Sequence, residues 1–402
     1  MKNVFHCIFS FIFINSIEAF NNQNLILHRR SGDVQVIGKN APLYSQKNVV
    51  NFTRENSVTR KISPPLPPFP NGDCGGKIVS ISPDKFDKPD MTLLQPETIF
   101  LPPRPIEVWL PPTYLNNEKS QHPVLYVHDG QNAIEDSSSW TGSSWRLAGA
   151  LTRLHERQLL RTPPITSENK HTICTDSLPI LVLMPSSEGD FLPGMRRRHL
   201  EYADLSNPIA SAHADFVAER LKPYIDSTFR TLSQKEHTYA MGTSLGGQAS
   251  VNLLLSHGDL FNNAACLSPC FQPGTVGSVL SFVASNAVGN VLNPNSKEQN
   301  MALKGKRIYI DNGGDVDDIK VPLFDLMDHT SSQHWWNPGY WWLDTQLQPS
   351  IDMMKMALDA LKERKIIDFE WHRYPGARHN ERAWAWRIDK PMLFLFGHRD
   401  GQ

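Results

Sequence analysis

Residues 237–250 run His-Thr-Tyr-Ala-Met-Gly-Thr-Ser-Leu-Gly-Gly-Gln-Ala-Ser, and this segment restricts the fold more than any other. Gly242, Ser244 and Gly246 form a Gly-x-Ser-x-Gly pattern. In a chain of this length such a pattern arises by chance in roughly one case in seven, so its setting carries the argument. Thr238 to Met241 reads as a short buried strand, and Gly247 to Leu255 as a helix with Ala249, Val251, Leu253 and Leu254 as its apolar positions. A serine between strand and helix sits on a turn too tight for a Cβ at either flank. The serine itself takes a strained backbone conformation, and the strain lifts its hydroxyl clear of the sheet.

The other elements agree with that setting. Val124–His128 and Ile180–Met184 are continuous apolar runs, as expected of strands buried on both faces of a parallel sheet. Further strands are expected at 239–241, 264–267, 308–310 and 369–372, with helical patterns at 212–228 and 350–363 between them. Thr98–Leu101 and Ile106–Leu110, split by two prolines, suggest an early antiparallel pair. Strands alternating with helices predict a mostly parallel central sheet with helices on both faces, right-handed in its crossovers. With the serine turn, that is the α/β-hydrolase fold. Residues 161–178 read as a polar loop insertion.

Composition limits the function. The chain has 402 residues, 40% of them hydrophobic, and a formal net charge of −1. It has no basic field to steer nucleic acid and no acidic tail. A small, weakly charged substrate suits that balance. Met1-Lys2-Asn3 followed by an apolar run to Ile17 and Glu18-Ala19-Phe20 reads as a secretory signal peptide over residues 1–20. That predicts a secreted protein with no membrane span. Residues 21–90 are rich in Pro, Asn and Ser and are expected to form a largely irregular leader before a catalytic domain over 91–402. Asn51-Phe52-Thr53 is a glycosylation sequon in a secreted chain. Cys266 and Cys270 read as buried thiols, because no paired Cys/His motif accompanies them.

A serine nucleophile needs a base, and the base needs a group to orient it. In this fold the chain order is serine, acid, histidine. His379 lies in a turn just after the strand at 369–372, where an imidazole can reach over the serine. His372 lies within that strand, and His257 follows the serine helix at its remote end. The acid should follow the strand at 307–310. Asp311 is too close to the strand, whereas Asp315, Asp317 and Asp318 are within reach. The oxyanion hole needs two backbone donors. The amide of Leu245 is one, and Gln131, in the loop after Val124–His128, is placed to be the other. Trp335, Trp336 and Trp341 belong to an aromatic run that suggests a wall beside the substrate. Arg196-Arg197-Arg198 reads as an anion-positioning cluster or as a surface run with ion pairs.

Five segments together resemble the putative-esterase family of esterase D, feruloyl esterases, enterochelin esterases and mycolyltransferases. They are Val108-Trp109-Leu110-Pro111-Pro112-Thr113-Tyr114, Tyr126-Val127-His128-Asp129-Gly130-Gln131, Gly242 to Gly247, Leu267-Ser268-Pro269, and His379-Asn380-Glu381-Arg382-Ala383-Trp384. The resemblance covers residues 92–397. It implies carboxyl-ester hydrolysis through an acyl-serine, and it carries Ser244 and His379 over directly. Aligning Tyr309 to Gly313 with the family's Asp-x-Gly-Thr turn favours Asp318 as the acid, with Asp317 and Asp315 behind it, because Gly314 replaces the threonine.

The expectation is a serine carboxylesterase acting on a small or aryl ester, with no metal or organic cofactor. An acyltransferase to a sugar or lipid alcohol would use the same residues. A non-catalytic binding protein on the scaffold would show a broken constellation. Substrate identity and oligomeric state are not encoded in any of these features.

Overall fold

The computed structural model describes residues 26–30, 33–37, 67–86, 101, 104–164, 174–192, 195–287, 303–313, 339–374, 377 and 379–398; over 26–30, 33–37, 190–192, 195, 286–287 and 339–346 it describes the backbone alone. The chain divides into two units, Met1–Lys61 and Ile62–Gln402. In the first, Ile26–Arg30 and Asp33–Ile37 form an antiparallel hairpin, with Ile26 opposite Ile37.

The second unit is built on an eight-stranded sheet. Its strands are β1 (Lys77–Ile81), β2 (Ile106–Leu110), β3 (Val124–His128), β4 (Ile180–Met184), β5 (Thr238–Thr243), β6 (Asn263–Leu267), β7 (Arg307–Asn312) and β8 (Asp368–Arg373). Their spatial order is β8-β7-β6-β5-β3-β4-β2-β1. The six strands from β8 to β4 are parallel, and β2 and β1 close the edge antiparallel. This is the α/β-hydrolase architecture, with the serine strand β5 near the middle.

One feature differs from the sequence reading. The antiparallel partner of β2 within the sheet edge is β1, from the segment expected to be leader, with Val79 opposite Val108. Thr98–Phe100 lies outside the described residues. The signal for β1 is weak because Lys77 and Ser80 interrupt a five-residue strand whose pattern is only partly buried. An edge strand buries one face at most, so it needs no continuous apolar run.

The core follows from the period of two along each strand. Val124 and Tyr126 of β3 face one layer, with Val182, Ala240, Cys266, Ile308 and Phe369 of neighbouring strands. Leu125 and Val127 face the other, with Trp109, Leu181, Met241, Ala265 and Tyr309. The first layer is covered by the continuous helical stretch Pro208–Asp215, Phe216–Leu221 and Lys222–Thr228, by α1 (Leu245–Ser256) and by α2 (Gly339–Glu363). Leu147–Glu156 and Asp389–Phe396 cover the second. Each fully buried Leu, Ile, Val or Phe contributes about 1.5–3 kcal/mol. Both faces therefore hold the sheet rigid under the loops at its carboxyl end.

Candidate active site

Ser244 ends β5 and caps the N-terminus of α1 with φ 55° and ψ −124°. A non-glycine residue held there costs on the order of 1–3 kcal/mol. The surroundings impose the conformation. Its N–H donates to Leu267 O at 2.9 Å, and its carbonyl accepts from Cys270 N–H at 3.0 Å and Gly247 N–H at 3.1 Å. Gly242 is sterically required, and Gly246 is tightly packed. A Cβ on Gly242 would lie 2.4 Å from the Gly246 carbonyl carbon. A Cβ on Gly246 would lie 3.0 Å from Asp129 Oδ2 and 3.2 Å from His128 Cβ. The same close approach brings the start of α1 against the loop that follows β3.

That loop is a single 3-10 turn, Gly130–Asn132, entered through Asp129 at φ 56°. The Gln131 side chain is tied to the loop after β4. Its Nε2 donates to Ser186 Oγ at 3.0 Å, and its Oε1 accepts from Ser186 N–H at 3.1 Å. Its side chain is therefore occupied, which leaves the main-chain amide as the group it can offer. Neither the Gln131 nor the Leu245 amide is given an acceptor among the described residues. Leu245 is the first residue of α1, so its amide is one of the four that a helix N-terminus leaves open. It points positive helix-end charge toward the serine.

Asp129 carries a second, charged tether of the loop. Arg198 grips it with two hydrogen bonds, Nε to Oδ1 at 2.7 Å and Nη2 to Oδ2 at 2.6 Å, and stacks 5.3 Å from the Tyr202 ring centroid. The Asp129 N–H donates to Tyr202 Oη at 3.3 Å. Arg197 lies 3.7 Å from the buried carboxylate of Glu201, which Arg104 also holds with two hydrogen bonds. Arg197 and Arg198 are thus paired with buried carboxylates, in keeping with the reading of a run with ion pairs, and Arg196 is the exposed member of the triplet.

His379 is buried, with its ring edge-on to Trp384 at 5.0 Å and 77°. Asn380 caps the short helix Glu381–Ala385, accepting from Ala383 N–H at 2.9 Å, and so sets the position of the residue before it. Trp384 donates through Nε1 to Ser268 Oγ at 3.2 Å. Ser268 lies two residues before Cys270, which bonds the Ser244 carbonyl. Through Trp384 and Ser268, the His379 segment and the serine turn are joined at the same end of the sheet.

Asp311 is fully buried and saturated. Arg387 donates Nη2 to Oδ1 at 3.0 Å and Nε to Oδ2 at 3.1 Å, Ser268 N–H donates to Oδ1 at 3.2 Å, and the Tyr309 hydroxyl to Oδ2 at 3.3 Å. Asp315, Asp317, Asp318, Trp335 and Trp336 lie outside the described residues. Trp341 is in α2, whose side chains are described only from Leu347. His257 caps the far end of α1, about 18 Å of helix from Ser244. Its Nε2 pairs with Asp215 at 2.9 Å, and with Glu219 the three groups lie within 4.8 Å of one another. His372 pairs with Glu370 on the edge strand. Cys266 is a buried free thiol and Cys270 a half-buried one; burial pushes both thiols up, that of Cys270 to about 11.

The putative-esterase family model matches residues 102–390. This chain belongs to that family. It is a hydrolase of the esterase class, and the match spans the serine turn, the Asp129 loop and the His379 segment. Solved structures similar to this esterase include a ferulic acid esterase from Anaeromyces mucronatus in complex with ferulic acid (15% identity, 79% of this chain and 90% of that one, TM-score 0.44). Others are the enterobactin and salmochelin hydrolase IroE (14%, 81% and 96%, TM-score 0.45) and the enterobactin esterase of Shigella flexneri (14%, 82% and 62%, TM-score 0.46). Comparison with curated proteins gives no match. Among the described residues no helix is long and apolar enough to cross a membrane.

Sequence reasoning missed the Asp129–Arg198 pair, Arg387 and Trp140. The two arginines are 69 and 76 residues from the carboxylates they hold, and no local pattern marks such a pair.

Proposed function

We propose that this esterase is a secreted serine carboxylesterase working through an acyl-serine. The observation that carries the reading is Ser244 at positive φ, on a strand-to-helix turn at the N-terminus of α1. Ser244 Oγ attacks the ester carbonyl while His379 accepts its proton. The amides of Leu245 and Gln131 receive the developing oxyanion. His379 then protonates the leaving alcohol, and water, activated by the same imidazole, releases the acid. Asp318 is our choice for the carboxylate that orients His379, with Asp317 and Asp315 as the neighbours to compare. Trp335, Trp336 and Trp341 are proposed to line the substrate site, and residues 1–20 to act as the secretory signal.

The test is labelling with a fluorophosphonate probe followed by peptide mapping. Covalent modification at Ser244, abolished in Ser244→Ala, is expected. Ester turnover should fall by about 10⁴-fold or more in that variant. Labelling at another residue, or full turnover in Ser244→Ala, would overturn the proposal.

A further inference from the structure

The motif Leu267-Ser268-Pro269 carries part of the family resemblance, yet none of its residues takes part in the proposed ester chemistry. The fold sets it between the serine and the histidine. On one side, the main chain of residues 267–270 brackets Ser244. Leu267 O accepts the Ser244 N–H at 2.9 Å, and the Cys270 N–H donates to Ser244 O at 3.0 Å. On the other side, the Ser268 hydroxyl reaches the segment that follows His379. Its Oγ accepts from Trp384 Nε1 at 3.2 Å and from Arg387 Nη2 at 2.9 Å. Trp384 in turn meets the His379 ring edge-on at 5.0 Å.

Ser268 is fully buried and takes φ 43°. Its N–H holds it there by donating to Asp311 O at 2.9 Å and Asp311 Oδ1 at 3.2 Å. The backbone at that position asks for glycine or asparagine, so the turn alone does not explain a serine. The hydroxyl does. Trp384 is buried, and a buried indole N–H needs an acceptor. Trp384 also packs edge-on against Trp145 at 6.5 Å, and the Trp145 N–H donates to Asn132 O at 2.8 Å, next to Gln131. The ring that Ser268 holds thus touches both the His379 segment and the loop of the Gln131 amide.

We propose that Ser268 is a positioning residue for ester turnover: its hydroxyl fixes the Trp384 indole, and through that ring sets the His379 imidazole against Ser244. The assignment rests on the serine-esterase reading of this site. In that chemistry the imidazole must stay within hydrogen-bond reach of the serine hydroxyl, and a misplacement of about 1 Å can cost about 100-fold in rate. Main-chain bonds from one short segment fix the serine, and one side-chain bond from the same segment fixes the indole. Nucleophile and base are therefore referred to a single piece of backbone, although they lie on separate loops.

Ser268→Gly is the discriminating variant, because glycine adopts a positive φ freely and only the hydroxyl is lost. On p-nitrophenyl acetate its kcat is expected to fall about tenfold with KM within about twofold. Labelling of Ser244 by the fluorophosphonate probe should slow by the same factor, since it uses the same serine–histidine proton transfer and no leaving alcohol. Trp384→Phe removes the N–H but keeps a ring beside His379, so it should lose about as much. The double variant should be no slower than the slower single one, because both changes cut one bond. Rates are compared per folded molecule, with the folded fraction read by near-ultraviolet circular dichroism. Wild-type kcat in Ser268→Gly, a loss confined to KM, or losses that multiply in the double variant overturn the proposal. Unaltered labelling in Ser268→Gly overturns it alone, whereas no Ser244 labelling in the wild type overturns the serine reading as well.

Discussion

Two arginine–aspartate clasps stand on either side of the serine strand, and they do different things. Asp129 follows β3 and is gripped by Arg198; Asp311 ends β7 and is gripped by Arg387. In the second, both side chains are buried, at 0% and 4% exposure, and the carboxylate also accepts from Ser268 and Tyr309. In the first, the aspartate is buried, but the Arg198 side chain is 21% exposed, and the aspartate sits at positive φ. The inner clasp joins β6, β7 and the segment after His379 into one block. The outer clasp holds a strained turn in place beside α1. Geometry of this kind sets a pair buried on both sides apart from a partly exposed one that holds a strained turn.

The largest effect should come from the inner clasp. Arg387→Ala leaves a buried carboxylate without its partner and should cost about 3–5 kcal/mol of stability. The midpoint of urea unfolding checks this, and activity per folded molecule should change less than the midpoint does.

Acid should act on the outer side. His128 precedes Asp129, and His213 packs against it at 5.4 Å between ring centroids. Burial, and for His128 the neighbouring His213, pushes both imidazoles down to about 3 from 6.5. Between those values the unfolded chain binds more protons than the native one, so stability rises with pH there. The contribution is complete above about pH 6.5 and is lost as pH falls toward 3. At pH 5.5 the two together should cost roughly 2–3 kcal/mol. His213→Leu should flatten the slope of stability against pH by one proton; an unchanged slope would remove acid sensitivity from this side of the site.

Breaking the outer clasp should be milder for the fold and sharper for catalysis. Arg198→Ala is expected to lower kcat about 10–100-fold through a misplaced Gln131 amide, with little change in KM. Lysine should not rescue it, because an ammonium cannot make the two-pronged contact. If Arg198→Ala destabilises as much as Arg387→Ala, the distinction between the clasps fails. The smallest effect is expected from Gly246→Ala, whose Cβ at 3.0 Å from Asp129 Oδ2 must push the clasp by a few tenths of an ångström. We expect about a fivefold loss in kcat from that shift, read by steady-state kinetics on the same ester.

Local information carried a good part of this protein. The apolar runs of β3 and β4 declare doubly buried strands, and the glycines around Ser244 declare a turn that only a strand entering a helix can use. Asn380 and Glu381 mark a helix start just after His379, so that segment was legible as well. These features depend on a few consecutive residues and on backbone sterics, which act at short range. The partner of β2 was not legible, since an edge strand such as Lys77–Ile81 can alternate weakly and still pair. The role of Arg198 was not legible either, because a guanidinium is equally at home in water until a carboxylate 69 residues away is buried beside it. The indole of Trp140 finds its acceptor only once the loop after β3 and the helix after β8 are brought together across 241 residues. Sequence by itself determined the elements and the Ser244 turn, because sterics and hydrophobic period are written residue by residue. The tertiary structure alone decided which charges are clasped and which acceptor the Trp140 indole finds, because those follow from burial, and burial belongs to the whole fold.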